Sequence, residues 1–239
     1  MPRPTSRVRT LGRYALGTVA VLFAVVGYTW VTVPDVRPLK KTNPGTTAFM
    51  ALRAEEAKRA GKTYRPVQRW VSYDRIAPSL KLAVRLTEDG AFFQHDGIDL
   101  DEIKASIQDT LNKGEALRGA STITQQLAKN LYLSPSRNPF RKLSELFITR
   151  RLEAELSKGR IFEIYLNVIE WGDGIWGCEA AAETYFGVSA ADLSADQAAL
   201  MAAAISSPHV FNPGRPSPRL IKRQEMIRRL MDRQIIGNR

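Results

Sequence analysis

Residues 78–90, PSLKLAVRLTEDG, open on Pro-Ser and close on Gly, the punctuation of a single α-helix. Along it Ala77, Val84 and Ala91 share one line, because seven residues make two turns less about 20°. Leu80 and Glu88 flank that line, so Glu88 continues an apolar stripe and faces inward. A longer helix is expected over 141–158, broken at Gly159. There Glu145, Leu152 and Leu156 fall within about 40° of one another, so Glu145 faces inward too. An inward carboxylate is either an ion-pair partner or a group whose pKa burial raises until it serves as acid or base near neutral pH. Two of them shift the balance to the second reading, since paired carboxylates are the signature of chemistry at a sugar's anomeric carbon.

The segment between the two glutamates narrows that chemistry. Residues 116–144 carry Arg118, Lys129, Arg137, Arg141 and Lys142 and no acid. A hydrolase acting on a neutral glycan has no need of such a cluster. A transferase whose sugar leaves on a diphosphate does, because cations stabilise the charge that develops as the bond breaks. Gly119-Ala120-Ser121 leads into the helix TITQQLAKNLYL, opened by the capping pair Thr122 and Gln125, and a helix N-terminus is a place where backbone N–H groups bind phosphate. Lys129 lies one turn after Gln125, so both are expected on one face.

Farther out, Ile161–Trp171 is expected to be helical and stopped by Gly172-Asp173-Gly174. Ser194 and Gln197 cap the small-residue helix AALMAAAIS, and Arg215–Arg239 makes a basic amphipathic helix. Only RPVQRWVSY, residues 65–73, has an extended character. The fold class is mainly α.

The 239 residues include 44% hydrophobic and 25% charged residues, too apolar for a disordered chain and enough for one domain with an appendage. The lone Cys178 excludes an intramolecular disulfide and a Cys-based zinc cluster, and with His95 and His209 far apart in sequence no His-rich metal site is visible. The net charge of +11 favours an anionic partner: nucleic acid, anionic lipid or a phosphorylated substrate.

Residues 14–33, YALGTVAVLFAVVGYTWVTV, are uncharged. As a helix they span about 30 Å, the thickness of a bilayer's hydrocarbon core. Arg3, Arg7, Arg9 and Arg13 precede them, with no acid before Asp35. The expected topology has 1–13 in the cytoplasm, 14–33 as a transmembrane anchor, and the rest outside the inner (cytoplasmic) membrane. That placement sets nucleic acid aside. A cleaved signal peptide is the competing reading; the length of the run and the lack of an A-x-A-like site before Pro34 count against it. Residues 34–69 hold nine basic residues and look like a membrane-proximal stalk with one solvated helix, TAFMALRAEEAKRAGK. The domain proper is expected over 70–239.

Four stretches carry a resemblance. Glu88–Gly97, EDGAFFQHDG, resembles the first motif of glycosyltransferase family 51, E-D-x-x-F-x-x-H-x-G. Gly119–Asn130, GASTITQQLAKN, is similar to the second, G-x-S-T-I-x-Q-Q-x-x-K-N; Arg141–Glu145, RKLSE, to the third; and Arg160–Asn167, RIFEIYLN, to the fourth. Their order and spacing agree, and the similarity runs from about Trp70 to about Met231. With one apolar span and no second catalytic domain, the chain is most similar to the monofunctional members of that family.

The resemblance implies a lysozyme-like helical transglycosylase domain that polymerises lipid II into peptidoglycan strands and releases undecaprenyl diphosphate. By motif position Glu88 is the general base. Glu145 lies at the donor site, holding the diphosphate through a divalent cation (Mg2+ or Mn2+) or by ordering basic side chains; no organic cofactor is implied. Lys129 and Arg137 neutralise the leaving diphosphate, and Ser121, Gln125, Gln126 and Lys142 line the donor cleft. Asp89 and His95 brace the Glu88 loop, and Glu163 is an ion-pair partner. Implied partners are lipid II, the growing glycan, the bilayer, and other cell-wall or division proteins. The chain departs from the family pattern at Gly90, and at Ala105, where a basic residue is common; Lys104 stands one position earlier, about 100° around a helix. Two rivals remain open: a lytic enzyme that cuts finished glycan, and a tethered scaffold for anionic polymer.

Overall fold

The computed structural model describes residues 6–113, 121–133 and 140–237. Among these the architecture is mainly helical: α1 Ser6–Val31, α2 Ala48–Arg59, α3 Pro78–Glu88, α4 Leu100–Lys113, α5 Ile123–Tyr132, α6 Phe140–Glu155, α7 Lys158–Val168, α8 Cys178–Phe186, α9 Ala195–Ala204 and α10 Pro218–Gly237. A small sheet has strand order β1 (Val67–Gln68), β3 (Ile175–Trp176), β2 (Glu170–Gly172), with β1 parallel and β2 antiparallel to β3.

Both expected capping boxes form. Thr122 and Gln125 exchange side-chain and backbone hydrogen bonds at the start of α5, and Ser194 and Gln197 do so at α9. Apolar α9, with Ala198, Ala199, Met201, Ala202 and Ala203 fully buried, packs against α3 and α10. Its short side chains let those helices come close, and close packing supplies the dispersion attraction that a void would forfeit. On the other flank α5 packs against α6 and α7. Cys178 is buried and unpaired; burial pushes its thiol up to about 12, which leaves it inert.

Two helix ends differ from expectation. The break between α6 and α7 falls at Leu156-Ser157, where Ser157 caps the Arg160 N–H at 3.2 Å, and Gly159 lies inside α7. Helix α7 ends at Val168; Glu170–Gly172 and Ile175–Trp176 form a hairpin in place of the expected last helical turn. Asn167 makes this corner: its Oδ1 accepts from Val71 N–H at 2.8 Å, and its Nδ2 donates to the Val71 carbonyl at 2.9 Å. Gly177, with φ 82°, passes so close to Asn167 that a Cβ would lie 2.7 Å from its carbonyl oxygen.

The segment expected to be a stalk is docked along much of its length. Val33, Val36 and Leu39 belong to the main core. Arg160 donates to the carbonyls of Leu39 (2.8 Å) and Thr42 (3.0 Å) and to Asn43 Oδ1 (2.8 Å), and Lys40 pairs with Glu155 at 2.7 Å. The expected solvated helix is α2, capped by Thr47, and its Arg53 reaches buried Glu170 at 3.0 Å.

The outer end of α1 is clamped as well. Trp30 meets Phe147 of α6 edge-to-face at 5.5 Å between centroids, Arg151 lies 5.7 Å over the Trp30 ring, and its guanidinium donates to the Val33 carbonyl at 3.2 Å. Among the described residues no helix is long and apolar enough to cross a membrane. The described side chains of α1 begin at Tyr14, and Leu16, Val21, Leu22 and Phe23 are exposed.

Candidate active site

Helix α3 delivers Glu88 at its last residue, and the chain turns at once into Asp89. Three hydrogen bonds fix that turn. Asp89 is buried; its Oδ2 accepts the Ile123 N–H at 3.0 Å, a free donor at the start of α5. Its Oδ1 meets His95 Nε2 at 2.9 Å. The Gly97 N–H donates to His95 Nδ1 at 3.1 Å, so the ring's proton sits on Nε2 and points at Asp89. Gly97 itself has φ 84°, and a Cβ there would fall 2.7 Å from Thr149 Cγ2. Asp89 and His95 thus tie the turn after Glu88 to the start of α5 and to Gly97, and Gly90 closes it with its carbonyl on Arg85 at 2.7 Å.

Glu88 is half-buried and lines a cavity of about 330 Å³ with Thr87, Ser121 and Thr122. Its Oε2 accepts from Gln126 Nε2 at 2.9 Å, and Gln126 Oε1 accepts from the hydroxyl of Tyr165 at 2.9 Å. Tyr165 is fully buried, and burial holds its hydroxyl well above the ordinary range. It is therefore always a donor, and it turns the Gln126 amide so that the NH2 faces Glu88. Burial pushes the Glu88 carboxyl up. The Gln126 hydrogen bond and the charges of Arg223 and Lys129 oppose that rise, and Asp89 adds to it.

A cationic wall continues from there. Lys129, half-buried on α5, has its pKa lowered by desolvation and supported by the charge of Glu145, with Lys142 and Arg141 as like-charged neighbours. Glu145 is 1% exposed and accepts from Lys142 Nζ at 2.5 Å. Glu88 feels the charge of Lys129, and Lys129 feels those of Glu145, Lys142 and Arg141, so one proton acceptor stands within electrostatic reach of a set of cations.

A family profile described as Transglycosylase matches residues 55–232. The chain belongs to the transglycosylase family. It is 46% identical to the biosynthetic peptidoglycan transglycosylase of Nitrosospira multiformis over 77% of this chain and 80% of that protein. It is 47% identical to the protein of that name from Laribacter hongkongensis, over 81% and 85% of the two chains.

Within this transglycosylase the expected residues separate. Gln126 hydrogen-bonds Glu88, the charge of Lys129 reaches it, and Ser121 lines the Glu88 cavity. Gln125 is buried, and its Oε1 is taken by the Thr122 N–H of the helix cap, so the neighbouring amide of Gln126 is the one that faces Glu88. Arg137 lies outside the described residues. Lys104 is exposed and pairs with Asp101 at 3.2 Å. Glu163 accepts from Arg160 at 2.7 Å and from the Trp70 indole at 3.2 Å, the ion-pair role expected of it.

Among the described residues Glu145 belongs to no group of three or more carboxylate or imidazole ligands that could hold a divalent cation. Two groups of possible ligands occur among the described residues, Asp89 with His95 and Asp99, and Glu170 with Asp173 and His209, and neither includes Glu145. Its hydrogen-bond partner is the Lys142 ammonium, and Lys129 lies within electrostatic reach; both compete with a metal for the same carboxylate. The other expectation for Glu145 is the ordering of basic side chains; the carboxylate pairs with one of them, Lys142.

Sequence reasoning misses two groups. Tyr165 sits inside the fourth motif, yet nothing in the motif's spacing gives it a role. Arg223 of α10 reads in sequence only as part of a basic face. It stacks over Phe211 at 5.6 Å, its buried Nε finds no hydrogen-bond partner among the described residues, and its charge reaches Glu88. Only packing of α10 on α3 brings it there, so no local pattern could have shown it.

Proposed function

We propose that Glu88 is the general base of a glycosyl transfer in which the growing glycan on its lipid diphosphate is the donor and the 4-hydroxyl of an incoming lipid II is the acceptor. The chain is a peptidoglycan glycosyltransferase that builds glycan strands for the cell wall. The observation that carries the residue assignment is a half-buried carboxylate with a neutral amide as its hydrogen-bond partner, at the lip of a cavity and within electrostatic reach of Lys129.

The proton balance follows. Ionised Glu88 takes the proton of the 4-hydroxyl as its oxygen attacks the anomeric carbon. The bond from that carbon to the diphosphate oxygen breaks, and the electron pair leaves with the diphosphate. Lys129 and Lys142 stand where that charge grows, and preorganised cations in a partly dry cleft lower the barrier without reorganising. Glu145 keeps Lys142 in place through the 2.5 Å contact. A raised Glu88 pKa brings the base closer to the working pH, where general-base catalysis is most effective.

The membrane placement belongs to the same proposal. The uncharged run 14–33, the arginines before it and the exposed apolar side chains of α1 support a single-pass anchor with the domain on the outer face of the inner membrane. A lipid-linked donor stays in its bilayer, and a short docked connection keeps the cleft close to it.

The test is incubation of the full chain with labelled lipid II in liposomes, with and without EDTA, read as polymer length. Polymer from wild type and none from Glu88→Gln is the expected result. Cleavage of preformed glycan without lipid II would instead favour a lytic enzyme, and wild-type turnover by Glu88→Gln would remove Glu88 as the base.

A further inference from the structure

We infer that the groove walled by α1 and by the facing ends of α5 and α6 is the seat of the donor's polyisoprenoid tail. This inference rests on the lipid-linked donor proposed above. The groove has a volume of about 570 Å³. On one side it is walled by Ala24, Val25 and Tyr28 of α1, and on the other by Tyr132, Leu133 and Arg141.

Its lining joins apolar side chains and one guanidinium. The α1 wall, from Val21 to Thr32, runs about 16 Å, roughly half the hydrocarbon thickness of a bilayer, and is mostly apolar. The opposite wall includes Arg141, whose charge also acts on Lys129. A mostly apolar trough with a guanidinium in its wall fits a long hydrocarbon joined to an anionic phosphate group. An anionic phospholipid shares that chemistry, but the electrostatic link from Arg141 to Lys129 favours the lipid-linked donor.

The groove is also held open by its own walls. The Trp30–Phe147 contact and the Arg151 hydrogen bond to Val33 fix α1 against α6 immediately past the groove. Thr29, on the α1 face that lines it, is 5% exposed and donates to the Val25 carbonyl at 2.7 Å, so this wall is ordered. A preformed trough saves the ordering cost that a mobile helix would incur on binding the tail.

The experiment uses the full chain in nanodiscs and compares two positions on α1. Ala24 lines the groove; Leu22, two residues earlier and about 200° around the helix, does not and is 58% exposed. Buried Cys178 does not compete for a thiol label. A benzophenone attached through Ala24→Cys should photo-crosslink labelled lipid II at least about fivefold better than one attached through Leu22→Cys, and excess undecaprenyl diphosphate should suppress the product. Equal yields at the two positions, or a yield that undecaprenyl diphosphate leaves unchanged, would overturn the proposal. In turnover, Ala24→Trp fills the trough and should raise KM for lipid II about tenfold, whereas Leu22→Trp stays within about twofold of wild type. If the two tryptophan variants behave alike, the tail does not lie there. Selective crosslinking without any polymer from wild type would sink the transferase reading and leave the groove assignment standing.

Discussion

Two carboxylates flank the first turn of α5, and they have opposite surroundings. Thr124 donates to Glu153 Oε1 at 2.5 Å, and Lys158 donates to the same oxygen at 2.8 Å. Two residues along the helix, Gln126 donates to Glu88 at 2.9 Å, and no cation is within ion-pair distance there among the described residues. Glu153 has its countercharge in contact; Glu88 has only an amide and more distant positive charge from Arg223 and Lys129. Burial alone therefore does not mark a reactive carboxylate. What marks Glu88 is burial without a contacting cation, which leaves it free to accept a proton and keeps its pKa up. Glu145 stands between the two, fully buried but paired with Lys142, and that suits a group that orders a cation better than one that moves a proton.

Four substitutions break or sharpen this contrast. Glu88→Gln should lower the rate of lipid II polymerisation about 10³-fold. The same change should raise the unfolding temperature at neutral pH. Because the folded state holds the Glu88 proton more tightly than the unfolded chain, stability falls as pH rises from the ordinary carboxylate range through the raised value, and Gln removes that loss. The wild-type rate should fall as pH drops through the same raised value, a limb visible in a pH–rate profile. Glu145→Gln should cost about 10²-fold in rate, measured at saturating and subsaturating lipid II, because Lys142 loses the anchor that aims it. Glu153→Gln should act on the other quantity: about 1–3 kcal/mol of stability in denaturant titration, with the rate per folded molecule within about twofold of wild type. Gln126→Ala removes the hydrogen bond that favours ionised Glu88, so the acid limb should move up by about one pH unit. If Gln126→Ala left that limb in place, the amide would be only a spacer.

The sequence carries these features unevenly. Capping boxes at Thr122 and Ser194 are legible because a cap involves groups three residues apart. The inward turn of Glu145 follows from helical periodicity, and so does the placement of Glu88 at the edge of an apolar stripe. The helical extension past Val168 fails because Glu170–Gly172 pair with Ile175–Trp176 in a hairpin, and that second strand pairs in turn with Val67 and Gln68, about a hundred residues away. Docking of Val36 and Leu39 is invisible for the same reason: what they bury against lies on distant elements. Within the site, Gln125 and Gln126 are identical residues side by side, and only the capping box decides which one turns away from Glu88.

The clamp of Trp30 on Phe147 and the docking that follows it leave no free joint between the apolar helix and the catalytic body. With α1 as the proposed anchor, a bilayer that thickens or thins cannot be absorbed by a bend at the surface; the whole enzyme must lean. Leaning would raise or lower the mouth of the cleft relative to the headgroups. Lipid composition would then govern how fast strands are spun out, without any effector touching the catalytic groups.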